Sequence, residues 1–389
     1  MKTVIVGMSG GVDSSVTAAL LKYGGFSAKG GPASGWNVIG VFMKNWSASS
    51  LPDAYKASRD GSEDFGDYGC TWAEDSEDAR KVAQTLNIPF YVWNFEKEYR
   101  EKVVEYFLRE YQNNRTPNPD VMCNSEIKFK VFLDKAMKLG ADFVATGHYA
   151  RIQKSKVKSQ NFKSKVKSTF SLLKGIDPAK DQSYFLYTLK QEQLAKVLFP
   201  LGEYKKSAIR ALARKFKLPT AEKKDSQGIC FIGKINVTEF LRAHVKARAG
   251  EVVLAGGKVV GHHTGLPFYT IGQREGIGIG GTGPFYVIDK DVKANQLIVT
   301  NDKEDKQLWK QEFIVTDVSW TGQAPKFPTK LGVTIRYHHP DYPARVEQMK
   351  DGNLKIKFKE PQRAITVGQA AVFYDEDELV GGGIIQQVL

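Results

Sequence analysis

A short apolar run, Thr3-Val4-Ile5-Val6-Gly7-Met8, meets Ser9-Gly10-Gly11-Val12-Asp13-Ser14-Ser15, and a helix-like run from Val16 to Leu21 follows. Strand, glycine-rich turn and helix in that order commit the chain to an α/β start whose turn can cradle an anion. Glycines let backbone N–H groups turn toward a ligand. The helix start adds unpaired donors and the positive end of its dipole. Ser14 and Ser15 suit a helix N-cap. Asp13 beside a phosphate calls for a divalent cation between them, so Mg²⁺ is expected.

Three readings of this loop compete. Gly7-Met8-Ser9-Gly10-Gly11 matches the G-x-S-x-G nucleophile elbow, but that elbow rarely sits on a first strand and has no use for Asp13. A ligand-free turn is the plainest alternative. A Walker A loop is excluded, because the Gly-Lys-Ser/Thr ending is missing. A nucleotide site uses every residue of the run. S-G-G-V-D-S-S resembles the signature of the PP-loop ATP pyrophosphatases. That resemblance implies cleavage of ATP to AMP and pyrophosphate, without naming a substrate.

The 389 residues, 42% hydrophobic, are enough for two or three domains. No signal peptide and no apolar run of the ~18 residues needed to span a bilayer is visible, so a soluble cytoplasmic protein is expected. Three cysteines argue against a disulfide scaffold and are too scattered for a Cys₄ zinc site. No residues are assigned to a resident metal. The adjacent pairs His262-His263 and His338-His339 are not read as metal ligands, since neighbours on a strand face opposite sides.

A net charge of +13 points to a polyanionic partner. Part of it is local: KSKVKS occurs at 154–159 and again at 163–168, contributing six lysines. The tandem copy reads as a flexible inserted loop with a solvated tip. An electrostatic arm for nucleic acid is the other reading. Loops at 24–36 and 47–68 also read as insertions.

Strand-like runs at 3–8, 38–43, 88–95 and 143–149 alternate with helix-like runs at 14–23, 74–86, 97–113 and 126–138. This is an α/β pattern, a parallel sheet with helices on both faces. Ligands on such sheets lie at the carboxyl ends of strands, here Ser9–Ser15, Met43 and Thr146-Gly147-His148. Helices are expected at 205–216 and 236–244. Short strands at 267–271, 284–288, 296–300, 312–319, 331–337, 344–349, 353–359, 369–374 and 379–385 suggest an antiparallel barrel. The expected division is a catalytic domain at 1–197, a small middle domain at 198–263 and a barrel at 264–389. Gly276–Gly281 matches G-x-G-x-x-G, but a strand follows it, so no dinucleotide site is expected.

Cys123 follows Thr116-Pro117-Asn118-Pro119-Asp120, a proline-stiffened polar approach shortly before a helix. A thiol near a helix start gains thiolate character, and Asp120 can move a proton. Cys230, in Gly228-Ile-Cys-Phe-Ile-Gly233, is either a core residue or a second thiol for disulfide chemistry. Cys70 reads as structural.

Over nearly its whole length the chain resembles the bacterial tRNA-specific 2-thiouridylases, a PP-loop family that thiolates the wobble uridine of certain tRNAs. The matching stretches are Gly7–Ser15, Val41–Trp46, Arg115–Phe129, Ala145–Ala150, Gly175–Leu186, Asp225–Gly233, Phe268–Arg274 and Gly381–Ile385. The resemblance implies that Gly7, Met8, Ser9, Gly10, Gly11, Val12, Asp13, Ser14, Met43 and Gly147 hold ATP. It implies that Asn118, Pro119 and Asp120 meet the target base, that Cys123 is a nucleophile, and that Cys230 carries sulfur as a persulfide. By the same token His148, Lys180, Asp181, Gln182, Arg336, Tyr337 and Gln369 touch tRNA. A cysteine desulfurase or relay protein would supply the sulfur. Two alternatives differ in class: a PP-loop ligase or amidase-type enzyme, which needs no paired cysteines, and a non-catalytic tRNA-binding protein.

Overall fold

A computed structural model describes residues 1–24, 36–47, 72–157, 167–225, 237–280 and 284–389. Cys70, Cys230 and most of the three expected insertions lie outside these residues. In chain order the first part contains β1 (Thr3–Gly7), α1 (Val12–Lys22), β2 (Asn37–Lys44), α2 (Trp72–Thr85) and β3 (Phe90–Asn94). Next is α3, continuous through Glu96–Tyr99, a π-helical turn Arg100–Val104 and Glu105–Gln112. Helix α4 runs through Pro119–Met122, a π-helical stretch Cys123–Phe132 and Leu133–Lys138. After it come β4 (Phe143–Ala145), β5 (Ala150–Val157), β6 (Lys167–Lys174), α5 (Gln191–Leu194), β7 (Val197–Leu198) and α6 (Lys206–Lys215).

Strands β3-β2-β1-β4-β7, in that order, make one sheet in which every neighbouring pair is parallel. Alternate residues of β1 feed two cores, as a strand buried on both faces requires. Val4 and Val6 pack with Val16 and Leu20 of α1, Val82 of α2 and Ile209 of α6. Ile5 packs with Val41, Met43, Phe107 of α3, and Ile127 and Phe132 of α4. Each such fully buried side chain stabilises the fold by about 1.5–3 kcal/mol. The α/β expectation is met.

The remainder comprises α7 (Val237–His244), β8 (Gly250–Leu254), β9 (Val259–His263), β10 (Tyr286–Asp291) and β11 (Gln296–Thr300). It continues with β12 (Trp309–Trp320), β13 (Thr329–Thr334), β14 (Tyr342–Gln348), β15 (Leu354–Arg363), β16 (Ala370–Asp375) and β17 (Glu378–Val388). Strands β10-β11-β8-β9 form a small sheet. Strands β12, β15, β14, β13, β16 and β17 pair antiparallel in turn, and β12 pairs back with β17 to close a barrel.

Several expectations need correction. The division at 197/198 falls inside β7, and α6 shares its core with β1, because Ile209 and Ala213 seal one sheet face. The division at 263/264 cuts the small sheet, since β11 pairs with β8. The run at 267–271 is not a strand. Leu266–Phe268 is a 3-10 turn, and Pro267 has no ladder donor to offer. The lysine repeat is not wholly loop: Lys154↔Phe170 through Val157↔Lys167 are paired residues of the β5–β6 hairpin. That hairpin joins the barrel sheet, with Leu172 opposite Leu379 of β17. His262 and His263 lie on β9 with His263 buried, whereas His338 sits at φ 62° beyond the end of β13. Among the described residues no group of three His, Cys, Asp or Glu side chains could hold a metal.

Candidate active site

The loop after β1 meets the N-terminus of α1 at the carboxyl end of the sheet. The α1 cap is Gly11, and no side chain accepts a hydrogen bond there. This corrects the expected serine cap. Ser14 and Ser15 lie inside the first turn and donate back to the Gly11 carbonyl at 3.2 and 2.7 Å. Among the described residues, then, no side-chain oxygen caps the positive end of α1. Ser9 donates its backbone N–H to Ser14 Oγ at 3.1 Å, and the two hydroxyls lie 3.2 Å apart. Ser9 thus pairs with a serine, not with the imidazole that an elbow nucleophile requires.

Gly147, just past β4, closes the cradle. A Cβ there would lie 2.9 Å from the Ser14 amide nitrogen and 3.0 Å from the Asp13 carbonyl carbon. Only a bare backbone permits that approach. Met43, at the end of β2, brings its methyl to 3.1 Å from where a Gly7 Cβ would stand. Gly7, Met43, Gly147 and the loop Met8–Ser14 therefore gather at one place, from three strand ends.

Asp13 has two partners that the sequence did not suggest. Tyr149 donates its hydroxyl to Asp13 Oδ1 at 2.7 Å. Lys206, the first residue of α6, donates to both carboxylate oxygens at 2.7 and 2.8 Å. The Tyr149 hydroxyl is pushed far above the ordinary tyrosine range, first by burial and then by the Asp13 charge. It stays a donor. Lys206 reads in the sequence as one more lysine of a basic helix, and nothing local distinguishes it.

Helix α4 carries Cys123. Its start is at Pro119, not 126: Asn118 caps it by accepting from the Val121 N–H at 3.2 Å, with Pro119 at the first helical position. Proline is tolerated there because its missing N–H would have no partner inside the helix. Cys123 thus lies one turn into the helix, buried at 1% exposure. Asn124 donates to the Asp120 carbonyl at 3.0 Å.

The barrel grips this turn. Thr116 N–H donates to the Val367 carbonyl at 3.0 Å. Gln369 Nε2 donates to the carbonyls of Thr116 at 2.9 Å and Pro117 at 3.2 Å. Tyr184 donates to the Ala370 carbonyl at 2.9 Å, and its ring lies 6.1 Å from that of Tyr337. Gln369 holds the approach to Asn118-Pro119-Asp120 through bonds made within the protein. Gln369→Ala should therefore cost about 1–3 kcal/mol in a denaturant titration of the tRNA-free protein. A side chain that met only RNA would leave that titration unchanged.

The other residues assigned to tRNA occupy distinct settings. Lys180 pairs with Asp225 at 2.9 Å. Asp181 accepts from Gly175 N–H at 2.8 Å and from Ser183 Oγ at 2.7 Å, and its pKa is raised chiefly by burial. Gln182 accepts from the Tyr149 N–H at 3.2 Å. Arg336 is exposed, and the ring of Tyr337 packs tilted against that of Phe185 with centroids 4.4 Å apart, its hydroxyl pushed to about 12 mainly by burial. His148 is not on the surface. At 7% exposure it packs against the rings of Phe129 and Phe199, each 5.7 Å away, with Nδ1 2.7 Å from Thr146 Oγ1. Burial, then Lys128, holds it well below its ordinary pKa, so it is neutral near pH 7.

Asp225, the last described residue before the stretch with Cys230, is bound by three cations. Lys206, Lys180 and Arg210 lie 2.9, 2.9 and 2.8 Å from its carboxylate. Burial would raise its pKa, but the bonds to Lys206 and Lys180 bring it down to about 2. Cys230 is five residues further on.

Family models match three consecutive parts of the chain: a tRNA methyl transferase HUP domain at 2–234, a tRNA methyl transferase PRC-barrel domain at 238–301 and an aminomethyltransferase beta-barrel domain at 310–385. The tRNA-specific 2-thiouridylase MnmA of Listeria monocytogenes serotype 4a is 48% identical over 387 residues, covering 99% of this chain and 95% of the relative. The protein of the same name from Alkaliphilus oremlandii is 46% identical over 391 residues, covering 99% and 97%. Among solved structures, the U34-tRNA thiolase NcsA from Methanococcus maripaludis is 18% identical with a TM-score of 0.32, covering 62% of this chain and 63% of that one. That score is too low to add weight. Identity near one half over essentially the full length, on a chain that builds the expected glycine-rich loop between β1 and α1, makes this a member of the tRNA-specific 2-thiouridylase family.

Proposed function

We propose that this protein transfers sulfur to C2 of the wobble uridine of tRNA, using ATP and releasing AMP and pyrophosphate. The observation that carries the reading is the uncapped α1 terminus behind a glycine cradle, with Cys123 on a helix that packs against the same sheet. It is joined by the near-full-length identity to relatives named for this activity.

The chemistry explains the parts. The C2 oxygen of uracil is a poor leaving group. Its attack on the α-phosphorus of ATP expels pyrophosphate and converts it to AMP, a good one. The terminal sulfur of a Cys230 persulfide then attacks C2, and AMP departs. Cys123 attacks the Cys230 sulfur, the S–S bond to the new thiocarbonyl breaks, and a Cys123–Cys230 disulfide remains. An external thiol reductant reopens it. In a second route Cys123 first liberates hydrosulfide, which attacks C2 in place of the persulfide. Asp120 moves the protons in both. Asn118 and Pro119 face the base, and Arg336, Tyr337 and Lys180–Gln182 meet the RNA. Flipping the base out costs a few kcal/mol, offset by phosphate contacts to basic surface.

The loop residues fit a triphosphate: they offer backbone donors and a helix terminus. Among the described residues no prebuilt metal cage accompanies them, and Asp13 is engaged by Lys206 and Tyr149. Mg²⁺ would arrive with ATP, and no step above depends on a protein-held ion. A cytoplasmic setting, with a cysteine desulfurase or relay protein as donor, completes the reading. No described helix is long and apolar enough to cross a membrane. The test is mass spectrometry of tRNA nucleosides after incubation with ATP, Mg²⁺ and a sulfur source. The expected product is 2-thiouridine at the wobble position, with stoichiometric AMP. Unmodified uridine under all donors would overturn the proposal.

A further inference from the structure

Lys206 stands between two carboxylates that lie far apart in the sequence. Its ammonium is 2.7 Å from Asp13 in the phosphate loop and 2.9 Å from Asp225. It is well covered, with 14% of its side chain exposed. Residues leading to Asp225 are fixed to the same domain. Arg210 donates to the carbonyls of Ala221 and Lys223 as well as to Asp225. Lys223 bridges Asp75 and Asp78 of α2, each at 2.7 Å. Asp225 is thus a fixed point at which the chain departs toward Cys230.

We propose that Lys206 is a nucleotide-binding residue shared with Asp225, so that a phosphate anion at the loop and the Asp225 carboxylate compete for one ammonium. The proposal rests on the nucleotide reading given above and adds a residue and a coupling to it. A triphosphate entering beside Asp13 brings several negative charges to the carboxylate that Lys206 neutralises. The ammonium turns toward the phosphates, and its hold on Asp225 weakens. Coupling of this kind is reciprocal: whatever strengthens the Lys206–Asp225 pair weakens nucleotide binding by the same factor.

The sign of one variant separates this from a structural role. The probe is α,β-methylene-ATP, which cannot be split between its α and β phosphates, measured by equilibrium dialysis with Mg²⁺. Lys206→Met should weaken binding at least about tenfold, and Lys206→Arg should restore most of it. Asp225→Asn should tighten binding by roughly three- to tenfold, because the ammonium is released to the phosphates. In the double variant that gain should vanish, the behaviour expected of two groups acting through each other. Thermal melts of each variant check that the fold persists. If Asp225→Asn weakens binding or leaves it unchanged, or if its gain survives without Lys206, the coupling is overturned. If the unaltered protein fails to bind the probe, the nucleotide reading itself is wrong, and that outcome is distinct from a flat mutant cycle on a protein that binds.

Discussion

Cys230→Ser should abolish tRNA thiolation, by on the order of a thousandfold or more, while tRNA affinity stays within about twofold. A hydroxyl cannot carry a sulfane sulfur, so the loss is of the transferred atom and not of a contact. The nucleotide site is untouched, and a single round of pyrophosphate release with ATP and tRNA should persist in the variant. Nucleoside mass spectrometry, filter binding of tRNA and a pyrophosphate assay check the three parts separately. Undiminished thiolation would reject the persulfide role. Loss of pyrophosphate release together with thiolation would place Cys230 in assembling the site.

Gly10→Ala should remove nucleotide binding and destabilise the protein by about 2–4 kcal/mol. Gly10 sits at φ 74°, where a side chain is strained, and a Cβ there would lie 2.2 Å from the Asp75 carbonyl oxygen. The nearest atoms all belong to the Asp75 backbone, in the first turn of α2. Neither the loop nor the helix can yield by a side-chain rotation, so the anion cradle must open. Thermal denaturation reads the stability change, and dialysis with labelled ATP reads the binding. A variant with wild-type melting and affinity would show that the loop and α2 are not locked together.

Much of this architecture is written locally. The run from Thr3 to Leu21 specifies β1, the turn and α1, because strand period, glycines and helix formers follow one another without conflict. The barrel strands are legible for a similar reason, as short β-branched runs between turn residues. Other features are not local. β7 has two residues and exists only because β4 offers an edge. The β5–β6 hairpin hides in a lysine-rich repeat that looks like loop, since its partner strand is distant in sequence. At the site, the loop, Met43, Gly147 and Cys123 could be named from their motifs. Lys206 and Tyr149 could not be singled out, because what distinguishes them is their distance to Asp13 in the folded chain. The family resemblance implies a tRNA contact for Gln369, and only the folded chain shows its bonds to Thr116 and Pro117. His148 was expected to face RNA, yet its imidazole is enclosed by aromatic rings.

The splice between β6 and β17 bears on how the molecule comes into being. About 200 residues separate the two strands, so on a ribosome the hairpin emerges long before its neighbour exists. Such distant pairings form late. The same C-terminal strand that receives the hairpin also closes the barrel against β12 and holds Gln369, whose carbonyl accepts from the Ile385 N–H at 2.9 Å. A nascent chain can therefore build its nucleotide cradle early, but the turn before Cys123 acquires its final brace only when the last strand arrives.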